Sequence, residues 1–472
     1  MADKKIYDIT ELHDVSMLDL FLIQSGDDAY NTHYETIKAD VTSNVIMLQQ
    51  DASNKNKILT TDSYGNVVME SLGDITAQKK DYMESLITDR IESLYDHNVT
   101  RIGRYGLGNK NSLREVTFLK CTVIADSGMC YCYRLNTAIF PVCTVIGSSA
   151  FYSCNLLTML SFPKCTEICY HAFASCSALS EVFFPACETI GAGAFIYCSS
   201  LTKANFPMCT NVGDCTFAFC SSLTEVSFPM CTNVSYGAFS HCSSLTEVSF
   251  PMCTNVHDGA FSHCLSLTKA NFPMCTNISN EAFRNCSSLI EVSFPMCTEV
   301  GYGAFRNCSS LTEANLPACE VIGLSAFANC SSLTEVSFPV CKDIGATAFF
   351  DCSSLTTAIF PLCGNIYSRA FMNCCNLTNV ECPVCYYIWS SAFMSCSSLK
   401  TLSFPACLRI SSYAFAYCTA LESLYLTGDY CRLYNSNAFL GTNCSIYVPS
   451  SLYNGYIRAD QWSYLSSRIV SV

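Results

Sequence analysis

The apolar positions of this chain keep a beat of 22 residues that starts near residue 99 and holds to about residue 440. Leucine recurs from Leu113, Leu135 and Leu157 to Leu421, isoleucine or valine from Ile102 to Ile410, phenylalanine from Phe151 to Phe415, and proline from Pro141 to Pro405. Within one unit, Leu223 to Pro229 sets Val226 and Phe228 on one side and Glu225 and Ser227 on the other, the alternation of a half-buried strand. Pro229 has no N–H to continue a ladder, so a proline at this place in every unit keeps all the strands equally short. Val234 then turns inward again. Ala238, Phe239 and Cys242, at i, i+1 and i+4, predict one short helical turn packed on the opposite side. A unit of strand, turn and helical turn cannot bury its own apolar set, so stacking on neighbours must supply the stability.

A fixed period between about 20 and 29 residues with leucine at set offsets is the signature of a leucine-rich repeat solenoid, with a parallel β-sheet on one face and turns and short helical turns on the other. The unit Ala-Phe-x-x-Cys-Ser-Ser-Leu-Thr-x-x-x-Phe-Pro-x-Cys-Thr-x-Val/Ile-Gly, with its core at Ile190, Gly191, Ala194 and Phe195, resembles the BspA-like repeat family over residues 99–449. The tail, from Ile446-Tyr-Val-Pro449 through Trp462 to Arg468, is similar to the C-terminal cap that follows such arrays. The resemblance implies adhesion or recognition and no catalysis. The solenoid is expected over 99–440 and its cap over 441–472.

The beat is absent from residues 1–73, which are expected to form a small β-rich attachment domain. Asp8 to Leu12, Leu18 to Ile23 and Thr36 to Val41 resemble the virion-anchoring segments of bacteriophage tail fibres, and Lys57 to Val67 resembles a two-stranded element with Gly65-Asn66 at its hairpin turn. That resemblance implies a tail-fibre or receptor-binding protein of a virion, made in the bacterial cytoplasm. Its partners would be other tail proteins, bound through residues 1–73, and a host-surface receptor, glycan or protein. The alternative is a bacterial cell-surface adhesin or interaction scaffold. Residues 74–98 hold no proline or glycine and space Ile87, Ile91, Leu94 and Asn98 by four, three and four, a helix that either packs on the first coil or joins copies into a trimer.

Composition narrows the classes further. A net charge of −13 without a run of Lys or Arg argues against nucleic acid. No apolar run reaches the ~18–20 residues of a membrane span, and the acid-broken N-terminus lacks the apolar core of a secretory signal. Thirty-five cysteines would suggest a disulfide scaffold, yet fourteen run at the repeat spacing from Cys132 to Cys418 and fourteen from Cys121 to Cys407. One thiol per coil facing the core acts as a small apolar residue, with a disulfide ladder as the alternative. Cys382-Pro-Val-Cys385 has C-x-x-C spacing, but Cys382 only replaces a strand phenylalanine.

No catalytic residue, cofactor site or metal site is assigned. His241, His263 and His257 are close enough in the repeat to pose the question of a metal. Asn285, Asn307 and Asn329 head Asn-Cys-Ser triplets that match glycosylation acceptors only as products of the repeat. Two sets of residues are candidates for ligand binding. The first is the outward strand ladder of Glu225, Glu247, Glu291, Glu313 and Glu335, interrupted by Lys269. The second is the aromatic C-terminal end, with Tyr413, Tyr417, Tyr425, Tyr430, Tyr434 and Trp462.

Overall fold

A computed structural model describes residues 92–96 and 99–472 and, as backbone alone, three upstream strands. The chain divides into two compact units, residues 1–209 and 210–472.

In the first unit the upstream strands Met47–Gln49, Lys57–Thr61 and Val67–Ser71 form an antiparallel sheet with Lys57–Thr61 in the middle. The expected hairpin pairing is present, Thr61 opposite Val67; Gly65-Asn66 and the anchoring segments of residues 8–41 lie outside the described residues. The expected helix over 74–98 ends differently. Ser93–Asp96 is a strand, paired in parallel with Glu115–Phe118. Leu94 keeps helical spacing with Ile91, but it also stands 22 residues before its register partner Val116, and a partner strand to pair with outweighs a local periodicity. Residues 74–91 lie outside the described residues.

From there each coil of the unit contributes two strands. The longer ones run Ser93–Asp96, Glu115–Phe118, Thr137–Ile139 and Met159–Ser161, then Glu181–Phe183 beside Lys203–Asn205. The shorter ones, from Arg101–Ile102 to Thr189–Ile190, form a second parallel ladder.

The second unit repeats the arrangement from Asn211–Val212 to Arg432–Leu433. Most of its longer strands are exposed at the first residue and buried at the second, as Glu247 and Val248 show, while Thr357 and Ser423 are only half-exposed and Val226 only half-buried. The two-residue strand in every coil was not expected. Asn233–Val234 pairs with Asn255–Val256, so the segment read as a plain turn is a second side of the coil.

The third side explains why the expected helical turn is a run of tight turns. Along residues 235–242 the amides of Ala238, Ser240 and Cys242 donate to carbonyls three residues back, whereas those of Gly237, Phe239 and His241 donate to Asp258, Ala260 and Ser262 of the next coil. A helix would turn every amide inward along its own axis and leave none for the neighbour. The alternation requires a left-handed residue twice per coil, here Gly237 at φ +56 and His241 at φ +62.

Because the strands are parallel and in register, like stands over like in the core. Phe239, Phe261, Phe283 and Phe305 stack at 5.2–5.4 Å, fully buried. All 28 ladder cysteines are buried free thiols. One series donates to a carbonyl of the preceding coil, as Cys264 does to Phe239 at 3.2 Å. The other donates two residues ahead, as Cys253 does to Asn255 at 3.1 Å. The thiols are therefore weak donors as well as core filling.

The coil that follows Phe415 carries two extra residues before Phe439, and the array closes there. Ser445–Val448 continues the longer ladder beside Ser423–Tyr425 and receives Ile469–Ser471 on its other edge, with short helices Tyr453–Arg458 and Asp460–Ser463 between. No helix among the described residues is long and apolar enough to cross a membrane.

Candidate recognition surfaces

Each coil of the second unit offers three outward sides: the longer strand, the shorter strand and the turns. The acidic ladder lies on the first. Glu225, Glu247, Glu291, Glu313 and Glu335 are all exposed at the first position of their strands. Glu247, Lys269, Glu291 and Glu313 stand directly beside one another. Lys269 Nζ sits 2.9 Å from Glu291 Oε1, and that carboxylate raises the lysine above its ordinary value. Glu313 keeps a like charge as its neighbour, an unfavourable pairing that only an exposed, solvated position tolerates cheaply.

The aromatic set does not converge on one place. Tyr425 is on the longer-strand side, stacked on Tyr447 at 4.5 Å. Tyr413 and Tyr417 are the two left-handed residues of a turn side, at φ +59 and +60, and both are exposed. Tyr430 and Tyr434 flank the short strand Arg432–Leu433, Tyr430 packed against Tyr456 at 4.8 Å and Tyr434 under the Arg409 guanidinium at 5.2 Å.

Trp462 must be corrected. It is 1% exposed, its indole N–H donates to the Cys431 carbonyl at 2.8 Å, and its ring meets Tyr456 edge-on at 5.3 Å. Tyr456, fully buried, accepts the Cys431 amide at 2.8 Å. Both rings cover the end of the core and satisfy its last backbone groups, so Trp462 is unavailable to a ligand.

The histidines do not converge on a metal either. His241 and His263 stack at 4.3 Å, and both ring nitrogens of His263 are engaged, by Ser262 Oγ at 2.9 Å and Asn285 Nδ2 at 2.8 Å. Burial holds His263 below its ordinary value, with His241 adding to the effect. His257 instead meets Asn233 Oδ1 at 2.7 Å. The column continues as an amide ladder, Asn307 donating to Asn285 and Asn329 to Asn307, each at 2.7 Å. Those half-buried amides are the three glycosylation-like asparagines, and the ladder uses their nitrogens. Cys382 and Cys385 are buried, and burial pushes the Cys382 thiol up, opposite to an activated thiolate.

Two exposed features escaped the sequence reading. Met230, Met252, Met274 and Met296 form an apolar stripe between the two strand sides, each about half exposed. Near the C-terminal end, Tyr367 and Trp389 stack at 5.6 Å on the shorter-strand side. Their separation of 22 residues was the available signal.

With this geometry in place, the repeat can be set against known proteins. The family described as BspA type leucine rich repeat region (6 copies) matches in overlapping stretches from residue 88 to residue 447. The chain belongs to the BspA-type leucine-rich repeat family. A leucine-rich repeat protein of Bacteroides ovatus is similar in fold, with a TM-score of 0.57 at 23% identity, over 75% of this chain and 88% of that one. A leucine rich cell surface protein of Faecalibacterium prausnitzii aligns over 70% of this chain and 93% of its own at 21% identity and a TM-score of 0.38. No curated protein matches the chain. The family match begins at residue 88, in line with the strand at Ser93–Asp96 as part of the BspA-type array.

Proposed function

We propose that this BspA-type protein is a binding protein without catalytic chemistry that presents its repeat array to a ligand on a cell surface. The observation that carries this reading is the in-register repetition. Any outward residue becomes a column with a step of ~4.8 Å, so a weak single contact is multiplied along an extended ligand. The column of Glu247, Lys269, Glu291 and Glu313 is one such surface.

In its finer form the protein is a tail-fibre or receptor-binding component of a virion. Residues 1–73 attach it to other tail proteins, copies associate as a trimer, and the solenoid meets a host receptor, glycan or protein. Support comes from the resemblance of Asp8 to Leu12, Leu18 to Ile23 and Thr36 to Val41 to tail-fibre anchoring segments. A second reading, an adhesin displayed on a bacterial surface, is favoured by membership in a repeat family associated with adhesion.

Purified particles probed with antibody against the chain separate the two. Presence in particles supports the virion reading; absence there, with removal from intact cells by external trypsin, replaces it with the adhesin. A full-length chain that attaches to no cell surface would sink both.

A further inference from the structure

We infer that the shorter-strand side of the second unit carries, near its C-terminal end, a site for an acidic sugar: a pyranose bearing a carboxylate. The inference rests on the binding role proposed above and names the ligand class for one part of that surface.

Tyr387, Arg409 and Arg432 are register partners in three successive coils and point outward. Two residues further on, Trp389, Ser411 and Tyr434 form a second outward column, held in step by amide bonds to the carbonyls of Ile366, Ile388 and Ile410 at 3.0, 2.9 and 2.9 Å. The six make a grid of two columns and three rows. The small Ser411 is the middle of its column, between Trp389 and Tyr434 and in one row with Arg409.

Each part of the grid has a chemical reason to bind. Trp389 lies on Tyr367 with one ring face; toward the other, the next residue in the column is Ser411, and the next ring, Tyr434, is two strand spacings away, ~9.6 Å. The Arg409 guanidinium, from the coil between them, lies over Tyr434 at 5.2 Å and takes part of that interval, which leaves the Trp389 face beside the small Ser411 with a cation next to it. Trp389 is 38% exposed and Tyr434 59%, so the dent is shallow and open at its rim. It suits a ligand with one apolar face and hydroxyls elsewhere, and not a molecule apolar all round.

The arginines specify charge. Arg409 and Arg432 are directly opposite one another, a repulsive pairing, and no carboxylate among the described residues forms an ion pair with either. The Arg409 Nε is buried without an acceptor, while its guanidinium rests over Tyr434 at 5.2 Å. In a chain of net charge −13, two adjacent unneutralised guanidinium forks, one fixed by stacking, match the bidentate geometry of a carboxylate.

The chain has two tryptophans, and since Trp462 is buried, a ligand-induced change in fluorescence and in acrylamide quenching reports on Trp389. The full-length protein is titrated with trigalacturonic acid and 3′-sialyllactose, with the methyl ester of the first and with lactose as neutral counterparts, and with citrate as a carboxylate without a ring. At least one sugar acid is expected to saturate the signal and protect Trp389. The neutral counterparts and citrate should bind at least tenfold more weakly. The double variant Arg409→Gln/Arg432→Gln should lose at least tenfold while keeping the circular-dichroism spectrum and a single cooperative melt, which separates loss of the site from loss of the fold. Equal binding of acid and neutral sugar, equal binding of citrate, or full affinity in the double variant overturns the site. If neither acid binds while the same preparation attaches to cells, the acidic-sugar site falls and the recognition role stands. Failure to attach to cells removes the recognition role itself.

Discussion

The thiol of Cys242 donates to the carbonyl of Phe217, 25 residues earlier and 3.1 Å away, and that carbonyl already accepts the amide of Cys220. One sulfur thus fills core volume and completes the bonding of a backbone oxygen in the preceding coil. Cys242→Ala removes both contributions, and we expect a loss of about 1–2 kcal/mol in urea-induced unfolding. An unchanged midpoint would mean the sulfur is dispensable.

Burial also sets how the array responds to alkali. The thiols of Cys231 and Cys275 are pushed from 9.0 up to about 11, and those of Cys253 and Cys286 to about 12. Above pH 9 the unfolded chain loses thiol protons that the folded chain retains, so folding must bind protons there. Stability is fully present below pH 9 and falls as pH rises toward 11, by about 1.4 kcal/mol per pH unit for each thiol that keeps its proton. The melting temperature, followed by circular dichroism between pH 7 and 10.5, should hold to about 9 and then drop steeply. A flat profile to pH 10.5 would refute the burial argument.

Asn307 separates two effects at one position. It sits at φ +63, donates to Asn285 and accepts from Asn329. Asn307→Ala loses both amide bonds and puts a less tolerant residue in left-handed backbone; Asn307→Gly loses only the bonds. Alanine should therefore be the worse variant by about 1 kcal/mol, read from thermal or denaturant unfolding. Equal stabilities would show that the turn relaxes.

At the C-terminal end, Tyr456→Phe leaves the Cys431 amide without its 2.8 Å acceptor in a buried place. A cost of about 1–3 kcal/mol is expected, concentrated in the cap. Hydrogen exchange should speed up at Cys431 to Leu433 and leave coils near Phe261 unchanged. Uniform acceleration along the second unit would instead mark Tyr456 as part of a single cooperative fold.

The spacing of Leu, Phe, Pro and Cys made the longer strands, the stacking and the buried thiols legible, because in-register stacking repeats one environment in every coil. The short strand at Asn233–Val234 was not legible: two residues give no alternation, and their partners lie 22 positions away. The turn side was misread for a related reason. Ala238, Phe239 and Cys242 have helical spacing, but the destination of each amide, its own coil or the next, leaves no mark on which residues are apolar. For the candidate site, composition located the aromatic end but not its geometry. Tyr434 is outward and Trp462 is enclosed, a difference that arises from how the tail folds back over Cys431.

The alternating amides of the turn side have a consequence for how such a chain changes length. Gly237, Phe239 and His241 bond to positions 21 residues ahead, and the same bonds recur from Gly259, Phe261 and His263. Excising one whole coil from this stretch would present each donor with an equivalent carbonyl, so copy number is free to drift while every interface stays native. An insertion of another size has to be absorbed within a single coil, as the two residues added before Phe439 are, with Arg409 still opposite Arg432 and Phe415 still stacked on Phe439. The second unit is in this sense a ruler marked in units of one coil, whose length can be reset by recombination between near-identical segments without redesign of its C-terminal cap.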